Sequence, residues 1–397
     1  MKIGIIKERK QPADTRVALT PLQCKNLTRQ FQGLQVVVES SDERCFSDHE
    51  YQNEGIPIVD DLSDCDVLLG VKEVPVEALI ENKTYLFFSH TIKKQPHNRE
   101  MFHTILKKNI TLIDYECLHW PKGGRILGFG NWAGIVGTYN AFLVWGKKTG
   151  EYELKPAWKC KDYNELKSEL NKIKTKKIGI ALTGDGRVAA GCREILSLIS
   201  AIEMVPESFC NTEKNTGIYF VHLNNSRLYE RKDKGVFESS HFYANHSDYQ
   251  CVFNQYISCT DVLINGMYWE KDMEVLFKKE DTAKDFFTIK VIADITCDIN
   301  GSVPITVKDT KIKDPVFGWD KKHGIVTAPY QEDSIEVMAV SNLPAELPRN
   351  ASEAFGEMLY QDVLPLIING DNDGIIDHAT LTSNGKVNSH FSFLHDY

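Results

Sequence analysis

Short apolar runs alternate with helix-like stretches over the first 120 positions of the chain. The runs are apolar at successive positions, which is typical of strands buried on both faces of a sheet. The stretch at 20–31 has helical character and begins with Thr20 and Pro21, a capping residue followed by proline at the first turn. The predicted strands are 3–6, 34–38, 66–71, 85–89 and 110–114. This alternation predicts an open α/β layer.

A second α/β unit is predicted to follow an amphipathic helix at 159–177. It opens with a strand at 177–182, a glycine-containing turn and a helical run. Its later strands are predicted at 261–265, 289–295 and 335–340. Three further regions have other patterns: 211–260 resembles an insertion with marginal helices, 348–368 is helical, and 370–397 is polar and expected to be partly mobile.

The turn after residue 182 has the pattern of a dinucleotide-binding motif, GxGxxA between a strand and a helix. Gly184 permits the tight turn, and Gly186 lets the backbone approach a pyrophosphate. Ala189 allows the helix and strand to pack closely, with the phosphates at the helix N-terminus. Arg187 lies beside the same turn and is a candidate phosphate contact. The pattern therefore predicts a nicotinamide dinucleotide site.

An acidic residue about 20 positions after this turn would bind the ribose of NAD. Glu203 and Glu207 flank that position, but neither ends a clean strand. The sequence therefore leaves NAD and NADP open as cofactors.

Titratable residues follow three of the predicted strands in the first layer. They are Lys72, His90 and Glu116. Because ligands bind beyond the carboxyl ends of parallel strands, these side chains are expected at one edge of the sheet. His90 exchanges protons near neutral pH at its ordinary pKa, whereas Lys72 does so only if burial or nearby cations lower its pKa. A nearby Glu116 would raise the pKa of Lys72.

Composition narrows the classes of protein. The 397 residues suggest two or three domains, and the net charge of -9 argues against general nucleic-acid binding, which needs a basic surface. The chain shows no run of 18 apolar residues and no secretory signal pattern, so neither membrane insertion nor secretion is expected. Ten cysteines without a CxxC pair predict a cytoplasmic protein with free, mostly buried thiols. Metal-ligand spacing is not visible, so no metal site is expected.

Eight segments carry a resemblance to known proteins, and they run from the first residues to about position 365. They are KERKQPADTRVALTP, LLGVKEVP, KTYLFFSHTIKKQ, LIDYE, GFGNWAGIVG, LINGMYWE, VIADITCDINGSVP and SNLPAELPRNASEAFGEMLY. Through them the chain resembles the alanine dehydrogenase and transhydrogenase superfamily, and within it the saccharopine dehydrogenase and lysine-ketoglutarate reductase family. The resemblance implies two Rossmann-like doubly wound domains with an interdomain cleft. The substrate domain would be 1–135 plus about 345–397, and the dinucleotide-binding domain 136–344.

The resemblance also implies roles for individual residues. Lys72 falls on a general-base lysine, His90 on a proton-transferring histidine, and Glu116 on a carboxylate near that lysine. The implied substrate-binding residues are Arg16, Lys93, Gln95 and Arg125, and the implied cofactor-binding residues are Gly184, Asp185, Gly186, Arg187, Asp294, Asn342 and Leu343.

The chain departs from the family pattern at two places. Ser341 stands where relatives have Asp, and Gly124 precedes Arg125 where the fungal enzyme has two adjacent arginines. The detailed substrate preference is therefore open.

The implied reaction interconverts saccharopine with L-lysine and 2-oxoglutarate, through an imine and hydride transfer with NAD or NADP. These small molecules would be the partners of a cytoplasmic monomer or homodimer that binds neither nucleic acid nor membrane. Two alternatives are a dehydrogenase of another amino acid or opine, which would need fewer cationic clamps, and a non-catalytic dinucleotide-binding protein, which would not need Lys72 and His90.

Overall fold

The computed structural model describes residues 1–11, 13–175, 177–211 and 217–397. The chain divides into two compact units. Unit 1 comprises Met1–Phe129 and Pro348–Tyr397, and unit 2 comprises Gly130–Leu347. Each unit is built on its own eight-stranded sheet, in agreement with the predicted α/β class.

The strands of the two units are numbered in chain order. They are β1 (Lys2–Ile5), β2 (Gln35–Glu39), β3 (Ile58–Val59), β4 (Val67–Leu69), β5 (Thr84–Phe87), β6 (Thr111–Asp114), β7 (Lys177–Thr183), β8 (Ile202–Met204), β9 (Gly217–Leu223), β10 (Tyr229–Arg231), β11 (Tyr249–Cys251), β12 (Val262–Asn265), β13 (Val291–Asp294), β14 (Val316–Asp320), β15 (Ile325–Thr327), β16 (Ser334–Met338), β17 (Thr380–Ser383) and β18 (Lys386–Val387).

The helices are numbered in the same way. They are α1 (Pro21–Gln30), α2 (Asp48–Asn53), α3 (Arg99–Lys107), α4 (Gly130–Thr149), α5 (Tyr163–Leu170), α6 (Gly186–Leu198), α7 (Pro206–Phe209), α8 (Asn225–Leu228), α9 (Ser239–Ala244), α10 (Asn254–Ile257), α11 (Pro348–Met358), α12 (Leu364–Asn369) and α13 (Ile375–Ala379). A π-helical turn at Leu359–Val363 lies between α11 and α12.

The sheet of unit 1 has the order β18-β17-β6-β5-β4-β1-β2-β3. The strands β1 to β6 are parallel, and β17 and β18 add an antiparallel edge. Buried apolar side chains cover both faces, as the apolar runs predict. Helix α1 begins where expected, because the Thr20 hydroxyl caps it and Gln23 completes the capping box.

The sheet of unit 2 has the order β15-β14-β16-β13-β12-β7-β9-β8. Its six strands from β16 to β8 are parallel, and β14 and β15 form the antiparallel edge. A separate two-stranded ribbon joins β10 and β11. Since β7 is followed by α6, the turn between them lies at the carboxyl edge of the parallel strands.

Helices α4 and α6 pack unusually close together in unit 2. A Cβ at Gly134 would lie 2.0 Å from the Val188 carbonyl oxygen, and one at Gly191 would lie 2.0 Å from that of Asn131. Only glycine permits this approach, so the segment GFGNWAGIVG is shaped by helix packing against α6.

Three regions differ from the sequence prediction. Residues 211–260 were expected to form an insertion, yet they contain β9, which lies directly beside β7. The helix predicted at 159–177 is shorter, because α5 ends at Leu170 and polar residues follow it. The polar tail forms α13, β17 and β18, and β17 pairs with β6.

Candidate active site and dinucleotide-binding turn

Lys72 lies just beyond the carboxyl end of β4, in a turn fixed by a carboxylate that follows β1. One oxygen of Glu8 accepts the backbone N–H of Val71 at 2.7 Å, and the other accepts that of Lys72 at 2.9 Å. Burial raises the pKa of Glu8 to about 7. Because both hydrogen bonds come from main-chain donors, Glu8 fixes the point from which the Lys72 side chain extends.

The Lys72 amine is half-buried, and its pKa is lowered. Burial is the main cause, because it disfavours the charged ammonium, and the nearby Arg16 guanidinium adds like-charge repulsion. Asp14 and Glu73 act in the opposite direction. The result is an amine that loses its proton at a lower pH than an ordinary lysine.

Arg16 is buried against Asp14 rather than extended towards solvent. Its Nε and Nη2 donate to the two carboxylate oxygens at 2.9 and 2.6 Å, and its guanidinium lies 4.1 Å from the centre of the Phe129 ring. Burial alone would raise the pKa of Asp14, but Arg16 lowers it well below its usual range. The geometry makes Arg16 an electrostatic neighbour of Lys72, and its contact with a substrate carboxylate stays a prediction.

His90 follows β5 and has a φ of +52°, which is uncommon for a residue with a side chain. Its Nδ1 lies 2.8 Å from Glu73 Oε1, and the other Glu73 oxygen accepts from Lys10 at 2.7 Å. Burial alone would raise the pKa of Glu73, but hydrogen bonds from His90 and Lys10 lower it to about 2. Since the carboxylate only accepts, Nδ1 carries the hydrogen, and the neutral ring has its lone pair on Nε2.

Glu116 pairs with two of the predicted substrate-binding cations. Its Oε1 lies 3.6 Å from Lys93 Nζ and 3.3 Å from Arg125 Nη2. The other oxygen, Oε2, is buried and has no hydrogen-bond partner among the described residues. Glu116 was expected to raise the pKa of Lys72, but the charges that act most strongly on Lys72 are other residues. Gln95 lies near the same cations in sequence, and its carbonyl accepts the Tyr397 hydroxyl.

Sequence reasoning missed three acidic residues of this site. Glu8, Asp14 and Glu73 all contact predicted site residues, and each lies in the same family-like segment as another predicted site residue. Glu73 directly follows Lys72, and Asp14 lies two positions before Arg16. The sequence signal that could have found them is a charged residue close to a candidate site residue at the end of a buried strand.

In unit 2, the turn after β7 has the geometry that a pyrophosphate requires. Gly184 and Gly186 have φ values of +98° and +76°. A Cβ at Gly184 would lie 2.5 Å from the backbone of Gly266, whereas Gly186 faces open space. The Asp185 side chain accepts the backbone N–H of Gly186 at 2.8 Å and begins helix α6. Arg187 is half-buried in the first turn of this helix. These residues fit a dinucleotide phosphate at the helix N-terminus.

The strand ends beside this turn are joined by a buried polar network. Asp294 accepts hydrogen bonds from Asn265, Thr296 and Thr306 at 2.8, 2.7 and 2.6 Å. The Thr183 hydroxyl donates to the side-chain amide oxygen of Asn265 at 2.6 Å. Burial raises the pKa of Asp294. Asp294 therefore holds strands β7, β12 and β13 together at their carboxyl ends.

Two further predicted cofactor residues follow β16. Leu343 is only 2% exposed, and its side chain packs beside Gly137 in the core of unit 2. A role for Leu343 in binding is therefore limited to its backbone, whereas Asn342 is half-buried.

The two acidic residues that flank the expected ribose position, Glu203 and Glu207, do not lie on the strand beside the glycine turn. Glu203 lies on the edge strand β8, where it forms two hydrogen bonds with Arg193 at 2.8 and 2.7 Å. The strand beside β7 is β9, and His222 lies at its carboxyl end, with Nε2 2.8 Å from the Gly184 carbonyl oxygen. Arg193 and Arg227 both contact His222, at 3.4 and 2.8 Å. The alternating segment GIYFVHL was the missed signal for this strand.

One disulfide corrects the expectation of free thiols throughout. Cys210 and Cys259 are joined, and both lie in unit 2. The other eight cysteines are free, and four of them are buried. Within the described parts of the chain, none of the helices is long and apolar enough to cross a membrane.

The two α/β units together have the fold of an alanine dehydrogenase. Residues 4–136 match the family model "Alanine dehydrogenase/PNT, N-terminal domain". A solved L-alanine dehydrogenase has a TM-score of 0.65 and 15% sequence identity, covering 100% of this chain and 99% of that one. The predicted fold class is thereby confirmed.

The sequence relatives are more specific. The chain is 28% identical over 429 residues to the mitochondrial alpha-aminoadipic semialdehyde synthase of Mus musculus, covering 96% of this chain and 46% of the relative. It is 26% identical over 368 residues to the saccharopine dehydrogenase [NAD(+), L-lysine-forming] of Schizosaccharomyces pombe, covering 90% of each. The chain thus spans about half the length of the mouse relative. The resemblance to L-lysine-forming saccharopine dehydrogenases is confirmed.

Proposed function

We propose that this protein is a nicotinamide-dependent oxidoreductase that interconverts saccharopine with L-lysine and 2-oxoglutarate. The observation that carries the proposal is the pair of proton carriers at adjacent strand ends of unit 1. Lys72 follows β4 and His90 follows β5, and these strands are neighbours in the sheet. The names and coverage of the fungal relatives support the choice of substrate.

The reaction makes a carbon–nitrogen bond in one direction. The ε-amine of lysine adds to the ketone of 2-oxoglutarate, water leaves, and the resulting imine is reduced at carbon. The bound dihydronicotinamide supplies the hydride. The protein must therefore take a proton from the attacking nitrogen and deliver one to the departing oxygen.

Lys72 and His90 fit these two proton transfers. Burial and Arg16 lower the pKa of Lys72, which increases the fraction of neutral amine that can accept a proton. The bond from His90 Nδ1 to Glu73 leaves Nε2 as the exchanging nitrogen of the imidazole. Glu8 and Glu73 thus act as positioning residues, because each orients one proton carrier.

Glu116, Lys93 and Arg125 fit recognition of a substrate with both charges. The two cations suit carboxylates, which saccharopine and 2-oxoglutarate carry. The buried, unpartnered Glu116 Oε2 suits an ammonium group of the amino-acid substrate. This arrangement favours a substrate in which an amino acid is joined to a dicarboxylic acid over a substrate that is a single amino acid.

In unit 2, the charges at the ribose end favour NADPH over NADH. An acidic residue at the end of the strand beside the glycine turn selects NAD, whereas arginine accommodates the 2′-phosphate of NADP. Here that strand ends near His222, whose carbonyl oxygen accepts from Arg227 at 2.8 Å, while the second arginine, Arg193, is paired with Glu203. The fungal relatives are named for NAD(+), so this preference is a specific point of difference.

The experiment is absorbance at the reduced-nicotinamide band with purified protein, lysine and 2-oxoglutarate, run once with NADH and once with NADPH. Oxidation that requires both substrates, and a higher kcat/KM with NADPH, are expected. In Arg227→Ala the kcat/KM with NADPH should fall, whereas the kcat/KM with NADH should stay at the wild-type value. Cofactor binding without oxidation under any condition would contradict the proposed reaction. Equal kcat/KM values with NADH and NADPH would contradict only the proposed preference for NADPH.

A further inference from the structure

Unit 1 contains a cluster of metal-ligating side chains that the proposed reaction does not use. Asp377, His378 and His390 each offer one ligand atom, and these three atoms lie within 4.8 Å of one another. All three residues are exposed, so an ion from solvent can reach them. We propose that this cluster is a binding site for a zinc-class divalent metal ion, with two imidazoles and one carboxylate as ligands.

The tautomer of His378 is fixed in the form that a metal ligand needs. Its Nδ1 lies 2.6 Å from the carbonyl oxygen of Gly374. A carbonyl only accepts hydrogen bonds, so Nδ1 carries the hydrogen and Nε2 carries the lone pair. Histidines that bind metals usually donate their second ring N–H to a carbonyl or carboxylate in this way.

Asn388 orients the other two ligands. Its amide nitrogen lies 3.4 Å from Asp377 Oδ1, and its amide oxygen accepts the backbone N–H of His390 at 3.1 Å. This leaves Asp377 Oδ2 to face His390 Nε2, at a distance of 3.2 Å. Supporting contacts of this kind hold ligands in place before the ion binds.

One pair of ligand atoms already has the spacing of a tetrahedral ion site, and all three lie within 4.8 Å of one another. Two atoms that each bind zinc at about 2.1 Å lie roughly 3.4 Å apart in a tetrahedral site. The separation between Asp377 Oδ2 and His390 Nε2 is close to this value. The ion would take the place of the hydrogen between these two atoms, and that hydrogen would move to His390 Nδ1. The imidazole rings of His378 and His390 are stacked, with centres 4.3 Å apart.

The chain segments that carry the ligands explain what the ion would do. Asp377 and His378 lie in α13, and His390 follows β18, so the β17–β18 hairpin lies between them. An ion held by all three would close this hairpin at its base, beside the edge of the sheet of unit 1. The inferred role is structural, and it does not rest on the proposed function.

The test uses the full chain without a polyhistidine tag, freed of metals by a chelator and titrated with Zn²⁺ by calorimetry. Co²⁺ absorbance then reports the ligand geometry. His378→Ala and His390→Ala should each weaken the site by about tenfold or more. His395→Ala is the matched control, because His395 is an exposed histidine of the same segment. It should leave binding unchanged.

A second readout separates a built site from surface adsorption. Zn²⁺ should raise the unfolding temperature of the wild type and of His395→Ala, because an ion that binds only the folded state stabilises it. It should not do so in the His378→Ala/His390→Ala double variant. Equal affinity, stoichiometry and Co²⁺ absorbance in the wild type and this double variant would overturn the proposal.

Discussion

Unit 1 carries Lys72 and His90 at two neighbouring strand ends, whereas the strand ends of unit 2 combine a glycine turn with a buried carboxylate, Asp294, that neutral side chains hold. In unit 1, Lys72 and His90 are held by Glu8 and Glu73, and the pKa values of Lys72 and both carboxylates are shifted. In unit 2, Gly184 has a positive φ in the turn after β7, and Asn265 joins the neighbouring strand ends through its hydrogen bond to Asp294. Under the proposed function, similar α/β layers would serve proton transfer in one unit and cofactor binding in the other.

The chemistry proposed for each unit accounts for the residue types found there. Proton transfer needs groups that can gain and lose a proton, and unit 1 places Lys72 and His90 at neighbouring strand ends. Dinucleotide binding needs close approach of the backbone, so unit 2 has glycines with positive φ. If this division is correct, substitutions in one unit should change turnover and those in the other should change cofactor affinity.

The largest expected effect is in unit 1. Lys72→Met should lower turnover by about 10²- to 10⁴-fold, because it removes a proton carrier. Cofactor affinity, measured by quenching of protein fluorescence, should stay the same. Lys122→Met is the control, because Lys122 is an exposed lysine of the same unit. Unchanged turnover in Lys72→Met would remove this residue from the mechanism and break the comparison.

The next effect is in unit 2. Gly184→Val should weaken cofactor binding by roughly 10- to 100-fold, because its Cβ would clash with the backbone of Gly266 and a positive φ is costly for valine. Gly186→Ala faces open space and should weaken binding less. The measurement is the dissociation constant of the reduced cofactor, with circular dichroism as the check on folding. Wild-type affinity in Gly184→Val would show that this turn is not the cofactor site.

A third prediction concerns a buried acid that has no part in either site. Burial raises the pKa of Glu346 to about 8, and Asn140 donates to it at 2.8 Å. The pKa of Glu346 is higher in the folded protein than in the unfolded chain, where it is about 4.5. The protonated Glu346 therefore stabilises the folded state fully below pH 4.5, and this stabilisation is lost as the pH rises to about 8. Between pH 5 and 8 the free energy of unfolding of unit 2 should fall by roughly 3 to 4 kcal/mol.

Glu346→Gln tests this assignment directly. Glutamine keeps the oxygen that accepts from Asn140 but does not titrate, so denaturant midpoints measured between pH 5 and 8 should vary less than in the wild type. An identical pH dependence in the two proteins would mean that Glu346 is ionised at neutral pH. The reference is Glu153→Gln, a substitution at another acidic position of unit 2, which should leave the wild-type pH dependence unchanged.

The smallest expected effect is at the substrate cations. Arg125 is 43% exposed and pairs with Glu116 at 3.3 Å. Arg125→Ala should raise the KM for 2-oxoglutarate by roughly 3- to 10-fold, in the range of an exposed charged hydrogen bond. Cofactor affinity should not change. If only cofactor affinity changed, Arg125 would be a cofactor-binding residue and not a substrate-binding one.

Much of the fold was predictable from local pattern. The strand β4 is apolar at every position, β5 is buried at all but its first, and Thr20 with Gln23 forms a capping box, so short segments determine these elements. The strand β9 was missed because its pairing with β7 is a long-range contact, and the residues around it are polar and aromatic. Local periodicity does not report which strand lies beside another.

The candidate site was predictable in part for the same reason. Strand ends locate Lys72 and His90, since strand ends follow from the apolar runs. The partners Glu8 and Glu73 depend on how neighbouring turns meet, and the pairing of Glu116 with Arg125 depends on side-chain geometry. The cluster of Asp377, His378 and His390 has no recognisable sequence motif, because a hairpin separates its two histidines.

The most direct test of the central claim is mass spectrometry of the product formed from lysine, 2-oxoglutarate and reduced nicotinamide cofactor carrying deuterium at the transferred position of C4. The account predicts saccharopine that is one mass unit heavier, formed only when both substrates are present, and its loss in Lys72→Met. Deuterium in a different amino acid, or none in saccharopine while the cofactor is oxidised, would contradict it.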